Sequence, residues 1–297
     1  MPESVTLVEC PRDAFQGLQR FIPTETKIDY LLSLINAGFK QIDFGSFVSA
    51  KAVPQMQDTR QVLEGIRQRL GQTRLIAIVP NLKGLEAAIE ARDIRFAGYA
   101  FSVSETFQQR NFRQTQEQAW AITGELLSRA RAAGMELVVY LSMAFGNPYG
   151  DPWSSGSLLL IVEKLVETGV RRILLADTVG LAEAQTVHEV FSACRQHSPD
   201  LELGVHLHAR PDRWEDVVMA AYSAGCRRFD GALVGMGGCP FAEDHLVGNI
   251  PTEGMVRRFA SMGLAVDVTE ESIQPALSKA REILSTHSQE REGGEGI

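Results

Sequence analysis

The sequence predicts an α/β protein folded as a (β/α)8 barrel, and three observations carry that prediction. Short β-branched and apolar runs recur eight times, separated by segments of helical periodicity. The runs begin about 32 residues apart, the length of one strand-plus-helix unit. Gly38, Gly134, Gly169 and Gly225 stand just before the next run, where a left-handed residue closes a helix. Strict alternation with right-handed crossovers admits an open doubly wound sheet or a closed barrel, and eight units favour the barrel.

In chain order, the first run, 5–9 (V-T-L-V-E), is followed by a helical segment, 26–37, with Ile28, Leu31, Leu32 and Ile35 on one face. Run 41–44 (Q-I-D-F) precedes helix 58–70, whose stripe is Val62, Leu63, Ile66 and Leu70. Runs 75–79 and 96–102 are followed by helices 82–91 and 115–133. Runs 136–141 and 172–177 are followed by 157–168 and 182–197. Run 203–208 (L-G-V-H-L-H) precedes helix 212–224, and run 228–233 is the last strand. Residues 252–285 add helical material. A single barrel domain over 1–285 and a flexible tail over 286–297, ending polar and Gly-rich, are expected.

Composition narrows the function classes. The 297 residues are 44% hydrophobic and 22% charged, enough for a core. The net charge of −8, without a Lys/Arg-rich block, argues against a nucleic-acid partner. No apolar run approaches the roughly 18 residues of a membrane span, and the N-terminal residues lack a signal-peptide shape. A cytoplasmic protein without a membrane partner is expected, and a homodimer is left open. Four cysteines without a C-x-x-C pair indicate neither a disulfide framework nor a zinc knuckle. Phosphate-loop and dinucleotide motifs are missing, so no nucleotide cofactor is expected.

Chemistry in this fold sits at the C-terminal strand ends. Polar residues gather there: Arg12-Asp13 at the first, Asp43 and Ser46 at the second, Asp177-Thr178 at the sixth, and His206 and His208 at the seventh. Cys239 follows the eighth in a Gly-Gly-Cys-Pro turn, with Gly248-Asn249 beyond it. His206 and His208 alternate along one strand, so both face the interior and can share a metal; two structural, hydrogen-bonded histidines are the competing reading. With Asp13 and Asn249 they would form a mixed nitrogen and oxygen set suited to Mg²⁺ or Mn²⁺ rather than structural zinc. Glycines can expose Cys239, whereas Cys194 and Cys226 fall in apolar patterns and read as inert.

These residues resemble the 3-hydroxy-3-methylglutaryl-CoA lyase family of metal-dependent barrels. The resemblance lies in V-E-C-P-R-D-A-F-Q (8–16), S-F-V-S-A-K-A-V-P-Q-M-Q-D (46–58), P-N-L-K-G (80–84), A-D-T-V-G (176–180), V-H-L-H (205–208), G-M-G-G-C-P-F-A (235–242) and Gly248-Asn249. It spans about residues 5–263. Relatives that condense acetyl-CoA with 2-oxo acids carry Gly-Glu-Arg in the cysteine-loop region, and this chain does not.

The resemblance implies a divalent metal on Asp13, His206, His208 and Asn249, holding the hydroxyl and carboxylate of the substrate. It implies Asp13 or a neighbour as base, Arg12 opposite the thioester enolate, and Cys239 as proton donor or closing loop. Gln16, Asp43, Ser46, Asp177 and Thr178 would contact or position the acyl-CoA. Lys51, Lys83 and Arg110 could meet CoA phosphates or water equally well. The chain departs from the family at Ala14 (Gly), Asp43 (Glu), Ala209-Arg210 (Asp) and Asn147 (often Cys). The expected activity is cleavage of 3-hydroxy-3-methylglutaryl-CoA, or a close homologue, to acetyl-CoA and a 3-oxo acid. An aldolase or Claisen-type condensing enzyme on the same metal site is the alternative, and an acyl-CoA-binding barrel without turnover is the non-enzymatic one.

Overall fold

A computed structural model describes residues 3–237 and 247–288. Eight parallel strands close into a barrel: β1 (Ser4–Glu9), β2 (Gln41–Ser46), β3 (Arg74–Ile78), β4 (Ile94–Ser102), β5 (Glu136–Ser142), β6 (Arg172–Asp177), β7 (Glu202–Ala209) and β8 (Arg228–Gly231). Each pairs with the next, and β8 closes on β1 with Val8 opposite Asp230. Closure leaves no edge within the barrel, and the predicted fold class is the observed one.

The short helix α1 (Pro11–Gln16) follows β1 at the barrel mouth, and the helices after it are α2 (Thr24–Ala37), α3 (Thr59–Ile66), α4 (Leu82–Ala91), α5 (Glu105–Phe112), α6 (Gln116–Ala132), α7 (Ser155–Thr168), α8 (Ala184–His197) and α9 (Trp214–Ser223). Two further helices follow, α10 (Thr252–Ser261) and α11 (Gln274–His287). Their ends are set locally. Asn81 accepts the Gly84 N–H at 3.0 Å to start α4, Thr115 and Gln118 form a capping box on α6, and Ser154 with Ser157 does the same on α7. Gly38 and Gly169 close α2 and α7 at φ +103°.

Two features differ from the sequence-based expectation. Arg12 and Asp13 do not end a strand; β1 stops at Glu9 and they lie on α1, which Pro11 opens because its missing N–H needs no partner in a first turn. The eighth strand stops at Gly231 instead of 233, because 233–235 form a 3-10 turn. The tail expected over 286–297 lies, from 289 onward, outside the described residues.

Side chains fill the barrel. Val8, Cys10, Ile76, Phe96, Val138, Tyr140 and Leu174 form an inner cluster, while the larger core lies between strands and helices. A two-residue strand, β9 (Gly248–Asn249), returns antiparallel onto β7 and sets Asn249 opposite His208. No helix of the described residues is long and apolar enough to cross a membrane.

Candidate active site

At the mouth of the barrel, α1 presents Arg12, Asp13 and Gln16 on one face. Arg12 Nη1 donates to Asp13 Oδ1 at 2.9 Å and to Gln16 Oε1 at 3.2 Å, and Gln16 Nε2 donates to Asp13 Oδ1 at 2.8 Å. The remaining face of the guanidinium, Nε and Nη2, donates to Asp43 Oδ2 at 3.0 and 2.6 Å. The β2–β3 ladder slips between Asp43 and Gly45, the kind of irregularity that re-aims side chains beside sites. Asp43 Oδ1 is buried and has no hydrogen-bond partner.

The other oxygen of Asp13 faces three side chains. Oδ2 accepts from Asn249 Nδ2 at 2.9 Å and lies 3.3 Å from His208 Nε2 and 3.9 Å from His206 Nε2. Asn249 Nδ2 also donates to the Met236 carbonyl at 2.9 Å. Asn249 Oδ1 and both ring nitrogens of His208 are buried and make no hydrogen bond. Native interiors rarely leave so many polar atoms unpaired. One atom from each of Asp13, His206 and His208 lies within 4.8 Å of the others. Two imidazoles and a carboxylate at that spacing fit a divalent cation, and the Asn249 amide lies against the same carboxylate oxygen.

Charges in the cluster support one another. Burial works to raise the Asp13 pKa, but Arg12, His208 and His206 hold it well below the usual carboxylate range. Burial works to lower that of Arg12, yet Asp43 and Asp13 raise it above its ordinary value. Asp43, wholly enclosed, is pushed up to about 6 by desolvation despite Arg12. Desolvation acts downward on His206, and Asp230 and Asp13 reverse it, so its pKa is raised.

The remaining sequence candidates are placed differently. Asp177 turns both oxygens on its own loop, accepting the N–H groups of Val179 and Leu181 on Oδ1 and of Ala182 on Oδ2; burial raises its pKa against those bonds. Thr178 is half-buried beside it. Ser46 Oγ donates to the Ile78 carbonyl at 3.4 Å and accepts the Val48 N–H at 3.2 Å. Lys51 and Lys83 are exposed, and Arg110 stacks over Tyr149. Asn147, at the family's cysteine position, accepts the N–H groups of Tyr149 and Asp151 and shapes the loop after β5. Cys239 lies outside the described residues. Gly237 borders the site: a Cβ there would stand 2.9 Å from Ala14 Cα and from Asn249 Nδ2.

Sequence reasoning passed over three interior residues below the cluster. Tyr140 sets its ring edge-on to His206, centroids 5.7 Å apart, with an unpartnered buried hydroxyl. Asp230 Oδ2 lies 3.2 Å from His206 Nδ1. Cys10 approaches both, and burial raises its thiol pKa well above the usual value. Their signal was the two-residue alternation of β1, β5 and β8, which points polar side chains into a packed interior.

A family model described as HMGL-like matches residues 5–279. Bovine mitochondrial hydroxymethylglutaryl-CoA lyase is 32% identical over 278 residues, covering 93% of this chain and 84% of its own. The (R)-citramalyl-CoA lyase of Chloroflexus aurantiacus is also 32% identical, over 90% of this chain and 86% of its own. Among solved structures, an HMG-CoA lyase from Acinetobacter baumannii in complex with coenzyme A and 3-methylmalate superimposes with a TM-score of 0.87 at 30% identity, covering 99% of this chain and 98% of that one.

Proposed function

The chain belongs to the HMGL-like family and is a carbon–carbon lyase, and from that premise we propose that it cleaves 3-hydroxy-3-methylglutaryl-CoA, or a thioester with the same tertiary-hydroxy carboxylate end, with Mg²⁺ or Mn²⁺ bound. The observation that carries the reading is the buried cluster at the barrel mouth, where Asp13 Oδ2 lies 3.9 Å from His206 Nε2 and 3.3 Å from His208 Nε2, and where His208 Nε2 and Asn249 Oδ1 have no hydrogen-bond partner. A divalent ion held by these four would supply Lewis acidity to the substrate's C3 hydroxyl and free carboxylate.

The residues of the chain then divide the work. Asp13 or a neighbour in the cluster takes the hydroxyl proton, while Asp13 Oδ1 stays committed to Arg12 and Gln16. The C2–C3 bond breaks as the C3 oxygen becomes a ketone, and its electron pair passes to the thioester as an enolate. Arg12, clamped between Asp13 and Asp43, is held where that negative charge develops. Cys239 returns a proton to C2, which balances the reaction and releases acetyl-CoA. Gln16 and Asp43 fix Arg12, and Asp177 and Thr178 shape the acyl pocket through the loop after β6. The cysteines Cys10, Cys194 and Cys226 are unbridged thiols, in keeping with the reducing cytoplasm proposed as the setting.

A second substrate reading has its own support in the equal identity of the citramalyl-CoA lyase. Citramalyl-CoA lacks one methylene between C3 and the carboxylate, and it would give acetyl-CoA and pyruvate by the same bond cleavage. Purified, reduced protein with added Mg²⁺ or Mn²⁺ would be given both thioesters, with acetoacetate and pyruvate followed separately. Metal-dependent release of acetoacetate with acetyl-CoA is expected. Pyruvate alone would move the assignment to the shorter acid, and no cleavage of either by metal-loaded protein would sink the lyase reading.

A further inference from the structure

Strand β8 places Arg228 and Asp230 two residues apart, both in the interior, one layer beneath the donor cluster. Asp230 is buried, and its Oδ2 lies 3.2 Å from His206 Nδ1, the ring nitrogen facing away from Asp13. A carboxylate oxygen accepts, and Asp230 at 3.2 Å from Nδ1 is nearer than Asp13 Oδ2 at 3.9 Å from Nε2, so in the neutral ring the proton is drawn to Nδ1 and the Nε2 lone pair faces the donor cluster. The other oxygen, Oδ1, has no hydrogen-bond partner and lies 3.9 Å from Arg228 Nη2. Arg228 is anchored from below, where Nη1 donates to Gln41 Oε1 at 2.5 Å.

The sequence makes room for this arrangement at one position. Gly204 on β7 faces the same layer, and a Cβ there would stand 2.7 Å from Leu174 Cδ1 and 3.0 Å from both Cγ and Cδ of Arg228. A larger residue would displace the arginine stem. Cys10, Asp230 and His206 together have metal-ligand spacing. Burial raises the Cys10 pKa and Sγ donates to the Val8 carbonyl at 3.7 Å, so the thiol stays protonated beside the His206–Asp230 pair and the trio does not read as a second ion site.

We infer that Asp230 is a positioning residue for the metal centre, accepting the Nδ1 proton of His206 so that Nε2 stays unprotonated and faces the donor cluster, with the Arg228 guanidinium 3.9 Å from the carboxylate's other oxygen. The inference rests on the proposed metal site, but its structural half concerns a tautomer that exists without metal. Partners of this kind typically change metal affinity about 10–100-fold when removed.

The test uses metal-free full-length protein with ¹⁵N-labelled histidine, at alkaline pH where the imidazole is neutral, followed by a Mn²⁺ titration read by electron paramagnetic resonance. In the unsubstituted protein His206 is expected as the Nδ1–H tautomer. Asp230→Ala should shift it toward Nε2–H and weaken Mn²⁺ binding about 10–100-fold. Asp230→Asn keeps a carbonyl acceptor and should retain the tautomer and most of the affinity; the tautomer change in Asp230→Ala is the readout that a merely structural role would not move. An Nε2–H tautomer in the unsubstituted protein would overturn the inference, as would an unchanged tautomer and affinity in Asp230→Ala. Should the unsubstituted protein take up no Mn²⁺, the metal reading fails, and the tautomer comparison alone decides this inference.

Discussion

Asp13 divides its two oxygens between two tasks: Oδ1 accepts from Arg12 and Gln16, while Oδ2 faces Asn249 and the two imidazoles. Arg12 is therefore oriented by both its neighbours, and three guanidinium nitrogens are used to do it. A lysine keeps the charge but has no fork with which to hold Asp13 and Asp43 together. Arg12→Lys is expected to lower kcat about 10²–10³-fold, as loss of one electrostatic donor does, with a much smaller change in KM. Steady-state kinetics on the metal-loaded variant decide the matter; a rise in KM with kcat intact would assign Arg12 to substrate binding. The site was legible in the sequence where a residue type announced itself, as with the two histidines of V-H-L-H or the Arg-Asp pair. Asp230 was not, because a carboxylate inside a strand reads as a charge at a strand end until pairing shows that it faces His206.

Short elements carry much of the site's geometry. Helix α1 has only six residues and α5 eight, too few for a hydrophobic period to show, so neither was legible in the sequence. The two residues of β9 are shorter still, yet their pairing with β7 sets Asn249 across from His208. Gly248 makes that approach feasible: a Cβ there would stand 2.4 Å from the Gly235 carbonyl oxygen and 2.8 Å from that of Gly237, both backbone atoms that cannot swing aside. Gly248→Ala should displace β9 and weaken Mn²⁺ binding at least about tenfold, a range typical of disturbed ligand support. Circular dichroism should show the barrel intact. Unchanged Mn²⁺ affinity would mean that Asn249 does not depend on this pairing.

The barrel as a whole was legible because its signals repeat: eight runs, and glycines that all take the left-handed conformation expected of helix ends. What fastens the first strand to the segments around it, beyond its ladder with β8, was not legible, since it runs through one buried carboxyl group. Glu9, at the end of β1, accepts from Leu233 N at 2.8 Å, Thr252 Oγ1 at 2.6 Å and Tyr30 Oη at 3.3 Å, tying β1 to α2, to the turn after β8 and to α10. Burial pushes its pKa from 4.5 up to about 8, against the three hydrogen bonds. The folded protein therefore holds a proton that the unfolded chain releases between those two values. More protons on the native state make stability fall as pH rises through this window, by at most about 1.4 kcal/mol per pH unit. The contribution is fully present below 4.5 and lost above about 8. Glu9→Gln keeps an oxygen for Leu233 and Tyr30 and offers an N–H to Thr252 without a titrating proton. Its stability relative to the unsubstituted protein should rise steadily across the window and level off beyond it. Denaturant unfolding of both proteins at a series of pH values checks this directly, since every other titrating group cancels in the difference. Parallel stability curves would show that Glu9 is ionised in the folded barrel.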